Sequence, residues 1–147
     1  MRVRLLCVGK ERTKYLDQAI AEYGKRLRPT VRVEIETVPA SETTQETNSL
    51  LKRIVDDEYV ILLDERGVLL STPELAERIQ ELQNDAVRSV SFVVGGAHGV
   101  SAELRRRADM EWSLSPLVFP HELVRLVVME QLYRAHDILR GGKYHHG

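Results

Sequence analysis

The feature that most constrains this chain is the alternation of short apolar runs with amphipathic helical patterns along its whole length. Residues 2–8 read as a first strand. Tyr15, Leu16, Ala19, Ile20, Tyr23 and Leu27 then fall on one helical face, which stops before Pro29. Val31, Val33 and Ile35 alternate with Arg32, Glu34 and Glu36, the period-2 pattern of a half-buried strand. After a polar loop at 39–44, Leu50, Leu51, Ile54 and Val55 mark a second helix. Tyr59–Leu63 is continuously apolar, as a strand covered on both faces must be. Thr72-Pro73-Glu74 predicts a helix start, with Thr72 as N-cap and Pro73 at the first helical position. Val90–Val94 is a fourth strand, Ser101 caps a short helix reaching Arg107, and Glu111–Leu114 is a fifth strand. A last helix runs from about Pro120 to Leu139 and stops at Gly141-Gly142. Strands alternating with helices predict an α/β fold, a mostly parallel sheet flanked by helices. With no repeat, linker or low-complexity segment, residues 1–147 read as a single domain.

Composition narrows the class. Hydrophobic residues make up 43% and charged residues 29% of the 147, an ordinary globular mix. No apolar run approaches the ~20 residues of a membrane helix, and the N-terminus lacks a signal-peptide pattern, so a cytoplasmic protein is expected. The single cysteine, Cys7, excludes an intrachain disulfide and a Cys-cluster zinc site, and it reads as a buried strand residue. The net charge of -1 hides a division: residues 1–36 carry nine Lys/Arg against five Asp/Glu, and residues 37–100 carry five against eleven. A basic N-terminal third can meet phosphate, although solvated helix faces explain it as well.

Several segments carry candidate chemistry. Gly95-Gly96-Ala97-His98-Gly99 follows a buried strand and precedes a helix. Its glycines either let backbone amides approach a ligand or simply make a tight turn. The pattern is neither G-x-G-x-x-G nor a P-loop, and the first strand ends in the lone Gly9, so a dinucleotide fingerprint is absent. Leu114-Ser-Pro-Leu-Val-Phe119 is an apolar loop at a strand end, where open α/β sheets bind ligands. His121 and Arg125 share a helix face near its N-terminus, an arrangement that invites an anion. The tail Lys143-Tyr-His-His-Gly147 joins an aromatic ring to basic and imidazole groups beyond a glycine pair. Adjacent histidines there make a poor metal site, and no metal is expected. Arg105-Arg106-Arg107 reads as a solvated helix face. The last helix is apolar on more than one side, through Leu123, Val124, Leu126, Val127, Val128, Met129 and Leu132, which predicts a homodimer.

These pieces in this order resemble a known family. Phe92–Gly99, Leu114–Arg125, Glu130–Ala135 and Tyr144-His145 are similar to the ribosomal RNA large subunit methyltransferase H family, small SPOUT-class enzymes that methylate N3 of a pseudouridine in helix 69 of 23S rRNA. The resemblance spans the whole chain and is most specific in its second half. It implies a C-terminal trefoil knot, a homodimer and S-adenosyl-L-methionine as cofactor. The implied cofactor contacts are Leu63, Gly95, Leu114, Ser115, Pro116, Leu117, Val118 and Phe119; the residues expected on chemical grounds to act in catalysis are His121, Arg125, Tyr144 and His145. Where the family tail ends in a basic residue after Tyr-His, this chain has His146-Gly147.

The function expected is thus a methyltransferase whose partner is 23S rRNA in the ribosome. The target N3–H lies between two carbonyls and is a weak acid, so His121 or His145 could accept its proton. Arg125 could bind phosphate or steady developing charge. A non-catalytic ribosome-binding module and a small-molecule nucleotide enzyme are the other readings, and affinity for S-adenosylmethionine separates them.

Overall fold

Arg2–Val8 (β1) and Ser89–Val94 (β4) are apolar at most positions because helices cover both of their faces. They pair in parallel at the centre of the sheet. The computed structural model describes residues 1–10 and 13–146; Gly147, the end of the tail, lies outside the described residues. The other elements are α1 (Lys14–Leu27), β2 (Val33–Val38), α2 (Thr43–Arg53), β3 (Tyr59–Leu69), α3 (Thr72–Asn84), α4 (Ala102–Arg107), β5 (Met110–Ser113) and α5 (His121–Leu139). The sheet has the order β2-β1-β4-β3-β5 and every pairing is parallel, which bears out the α/β expectation.

Two apolar clusters hold the layers. On one face Ile20 and Leu27 of α1, Leu75 and Ile79 of α3, and Val128, Met129 and Leu132 of α5 pack on Leu5, Phe92 and Trp112. On the other, Leu50 of α2 and Leu104 of α4 cover Leu6, Val60, Leu62 and Val93. Each such side chain contributes roughly 1.5–3 kcal/mol by leaving water. The last helix packs against both α1 and α3.

Several boundaries differ from the sequence reading for identifiable reasons. The third strand runs on to Leu69: Leu63 and Val68 both oppose Trp112, so residues 64–67 bulge out of the ladder. Gly67 is obligatory there, since a Cβ would lie 2.5 Å from the Glu111 carbonyl. The N-cap of α3 is Ser71, not Thr72. Its hydroxyl accepts from Glu74 N, and the Glu74 carboxylate accepts from Ser71 N, a capping box. Tyr15 and Ile35, expected inside, are exposed. Ile35 lies on the edge strand beside a groove of about 270 Å³. Val55 lies past the end of α2 and is also exposed.

The N-terminal ends of the strands carry a closed ionic network. Arg4 is buried and donates to Glu36, Glu58 and the Arg53 carbonyl, at 2.6, 2.7 and 2.8 Å. Ser89 Oγ donates to the second Glu58 oxygen at 2.5 Å. Arg2 pairs with Glu34. These two cations of the basic N-terminal third are therefore engaged within the protein.

Candidate active site

At the opposite end, the strand order sets β4, β3 and β5 side by side, so the bulge of β3 and the loops that leave β4 and β5 converge. They enclose a cavity of about 810 Å³, within the usual ~300–1,000 Å³ of small-molecule sites. Leu63, Gly95, Leu114, Ser115, Leu117, Val118, Phe119 and His121 all stand on its wall. Pro116 belongs to the same loop but not to the wall.

Local bonds shape the loop that enters α5. The Ser113 hydroxyl lies within donating distance of the Ser115 and Glu65 carbonyls, at 2.9 and 3.1 Å, and so ties the loop to the β3 bulge. Leu117 N donates to Ser115 Oγ at 3.0 Å, closing a tight turn. This turn holds Leu117 and Val118 outward, 68% and 80% exposed. The glycine loop turns at Gly96, whose carbonyl accepts from Gly99 N at 3.1 Å. Gly99 has φ +81°, a conformation open to glycine at little cost. A Cβ on Gly96 would lie 2.7 Å from the Glu46 carboxylate, and one on Gly95 would lie 2.6 Å from Val100 Cγ1. Both glycines are therefore set by close packing of the loop.

The rim is charged. Asp64, the first residue of the bulge, accepts from Arg66 N at 2.9 Å and pairs with Arg105 Nη2 at 2.5 Å. Burial opposes its ionisation, but these donors outweigh it and hold the carboxyl below the usual range. Arg105 also reaches Glu111 at 2.5 Å. It lines the cavity and is not a freely solvated residue of a basic helix face, as Arg105-Arg106-Arg107 had suggested.

The four expected catalytic residues do not meet within one chain. His121 is on the cavity wall. Arg125, one turn further on, is buried and aims elsewhere: its Nη2 donates to the carbonyls of Val8 and Gly9, at 2.5 and 2.9 Å, tying α5 to the end of β1. Tyr144 packs edge-on to Tyr133 with ring centres 4.6 Å apart, and the Arg134 guanidinium lies 4.8 Å from its ring centre. His121 and Tyr133 are twelve positions apart on α5, ~18 Å along the axis at ~1.5 Å per residue. Arg134 Nη1 donates to His145 Nδ1 at 3.3 Å. A guanidinium cannot accept, so Nδ1 supplies the lone pair and the neutral ring carries its proton on Nε2. His145 Nε2 itself is buried and has no hydrogen-bond partner among the described residues.

Comparison with known proteins agrees with this architecture. A family model described as "Predicted SPOUT methyltransferase" matches residues 1–145. The chain is 42% identical over 154 residues to ribosomal RNA large subunit methyltransferase H of Gloeobacter violaceus, covering 100% of both. It is 40% identical to the protein of that name from Geobacter metallireducens, covering 99% of both. The chain belongs to the ribosomal RNA large subunit methyltransferase H family of SPOUT methyltransferases. Among solved structures it shares its fold with a probable methylase family protein of Haemophilus influenzae, at TM-score 0.58 and 15% identity over 99% of this chain and 70% of that one. The SpoU methyltransferase AviRb of Streptomyces viridochromogenes, solved with AdoMet, aligns at TM-score 0.50 and 11% identity over 97% of this chain and 59% of that one.

For a member of this family the lining suits S-adenosylmethionine. Leu63, Leu114 and Phe119 offer apolar wall, and the glycine loop offers backbone amides and carbonyls. Trp112 also lines the cavity, and its buried Nε1 has no hydrogen-bond partner among the described residues. A buried donor left unpaired costs about 1–3 kcal/mol, which a ligand acceptor would relieve. Sequence reasoning missed Trp112, Asp64 and Arg105 as wall residues. The signal for Asp64 was its place directly after a buried strand; Trp112 gave none beyond an apolar strand position.

Proposed function

We propose that this chain is an S-adenosylmethionine-dependent methyltransferase of large-subunit ribosomal RNA, acting on N3 of a pseudouridine in helix 69 of 23S rRNA. The cavity formed by the β3 bulge and the loops after β4 and β5 carries the reading, and the curated relatives bear the rRNA methyltransferase name. The cofactor supplies a methyl group made electrophilic by its sulfonium. The protein's part is orientation and exclusion of water by Leu63, Leu114, Val118 and Phe119. His121, on the wall, is the candidate acceptor of the N3 proton, and Tyr144 and His145 of the tail are the candidate RNA contacts. A substrate in the ribosome implies action in the cytoplasm. No described helix is long and apolar enough to cross a membrane, and no group of described side chains could hold a metal.

The distance between His121 and the tail supports a homodimer in which the tail of one subunit completes the cavity of the other. Leu123, Leu126 and Val127 on α5 remain only partly buried in the single chain, and they suit such an interface. A C-terminal trefoil knot belongs to the same reading, on the strength of the family alone.

The test begins with calorimetry. Gly95→Val should abolish S-adenosylmethionine binding. Because that side chain also meets Val100, Val118→Glu on the exposed rim is the paired variant, expected to fold normally and bind at least tenfold more weakly. Unchanged affinity in both would remove the cofactor from this cavity. Incubation of the wild-type protein with ribosomes lacking the modification, followed by mass spectrometry of the base, decides the substrate. Sedimentation as a monomer at micromolar concentration would refute the dimer.

A further inference from the structure

The glycine pair before the tail suggests a free hinge, but the structure shows a clamp. Helix α5 ends in a Schellman motif: Gly142 N donates to Asp137 O at 2.8 Å and Gly141 N to Ile138 O at 3.0 Å, with Gly141 at φ +74°. The chain then folds back over the Asp137 side chain, which is 2% exposed. One carboxylate oxygen accepts from Tyr144 N at 2.8 Å, and the other from Arg140 Nη2 at 2.8 Å. The backbone N–H of His145 also bears on this carboxylate. A Cβ on Gly142 would lie 2.1 Å from Asp137 Oδ1, so the chain passes as closely as a backbone can. Beyond the clamp, Tyr144 rests on Tyr133 and Arg134 engages His145.

We propose that Asp137 is a positioning residue for methyl transfer, its carboxylate anchoring the backbone at Tyr144 so that Tyr144 and His145 meet the RNA as a preformed unit. A tail already ordered loses less conformational entropy when substrate arrives, so the benefit falls on RNA engagement and not on the cofactor. The proposal rests on the reading above that the tail acts on RNA.

The experiment compares three forms of the full-length protein with wild type: Asp137→Ala, Asp137→Asn and Gly142→Ala. Asp137→Ala should raise amide hydrogen exchange at Tyr144 at least tenfold. It should also raise KM for ribosomes at least tenfold, with kcat and S-adenosylmethionine affinity within twofold of wild type. Asp137→Asn keeps an oxygen that accepts from Tyr144 N and should recover most of both losses. Gly142→Ala leaves the carboxylate in place but crowds it, and it should reproduce the alanine effect; it stands in if Asp137→Ala does not fold. Wild-type exchange at Tyr144 in both Asp137→Ala and Gly142→Ala, or raised exchange with unchanged KM, would overturn the positioning role. Deleting residues 143–147 separates the two ideas: full activity without the tail defeats the underlying reading, whatever the exchange data show.

Discussion

The two ends of the sheet use the same side-chain chemistry to opposite ends. At the N-terminal ends of the strands, Glu58 and Arg4 form an ion pair at 2.7 Å with side chains 0% and 4% exposed. Ser89, Val55 and the Arg53 carbonyl take up further hydrogen bonds of the pair. At the C-terminal ends, Asp64 and Arg105 pair at 2.5 Å, but at 8% and 26% exposure and on the wall of a cavity. One network is closed and serves the fold. The other faces an open pocket rimmed by exposed Leu117 and Val118, beside an unsatisfied Trp112 Nε1. The second is where a ligand has a buried donor on the wall of an open cavity to complete.

The sharpest way to break this contrast is Glu58→Ala. The substitution leaves Arg4, 4% exposed, with Glu36 as its remaining carboxylate and strips the Ser89 hydroxyl and Val55 N of their buried acceptor, so the cost should be about 3 kcal/mol, the low end of breaking a buried pair. Urea unfolding should show that loss, while the folded fraction keeps wild-type affinity for S-adenosylmethionine. A loss under about 1 kcal/mol would mean that the N-terminal network is dispensable and the two ends are alike.

What the sequence made legible follows the same division between local and distant. The central strands were readable because burial on both faces demands an unbroken apolar run. The cofactor loops were found as strand ends bearing glycine or proline, and the family resemblance placed individual residues in them. Arg4 was unreadable because its partners lie 32 and 54 positions away. Arg125 failed for a similar reason: its i, i+4 spacing from His121 predicted an anion, but its guanidinium meets backbone carbonyls 117 and 116 positions earlier. Asp64-Glu65-Arg66-Gly67 looks like a turn, and only the ladder to β5 shows it as a bulge inside a longer strand. The tail glycines read as freedom because the carboxylate that fixes them belongs to the preceding helix.

Acid should attack the two kinds of group in separate windows. His136 is buried and its pKa is lowered, first by burial, with Nδ1 donating to the Leu132 carbonyl in the neutral ring. The unfolded chain therefore takes up this proton more readily, and stability falls as pH drops below ~6.5, the unfolded histidine value. The decline levels off once the folded-state pKa is passed. Glu58, Glu36 and Asp64 have lowered values, so their stabilisation is present above ~4.3 and lost as pH falls through their folded pKa values. Burial opposes the shift at Glu58, where the Ser89 hydroxyl leads the groups that outweigh it. Urea midpoints from pH 8 to 3 should show both declines. His136→Gln should flatten the upper one and leave the lower; a slope that persists in this variant would assign the upper window to other groups.

The smallest expected change in stability comes from the mirror of Glu58→Ala at the other end, Asp64→Asn. The pair it weakens has a partner with a quarter of its side chain in water and a second carboxylate, Glu111, within 2.5 Å. Solvent and Glu111 both compensate the Arg105 charge, so a cost of about 1 kcal/mol or less is expected, close to that of surface pairs. The asparagine oxygen can still accept from Arg66 N, which preserves the start of the bulge. The consequence should appear in the cavity instead. Arg105, released from Asp64, swings toward Glu111 and changes the charge presented at the rim, so S-adenosylmethionine affinity should shift severalfold while the urea midpoint barely moves. The opposite result, a large loss of stability with unchanged affinity, would make the C-terminal pair structural and erase the distinction between the two ends.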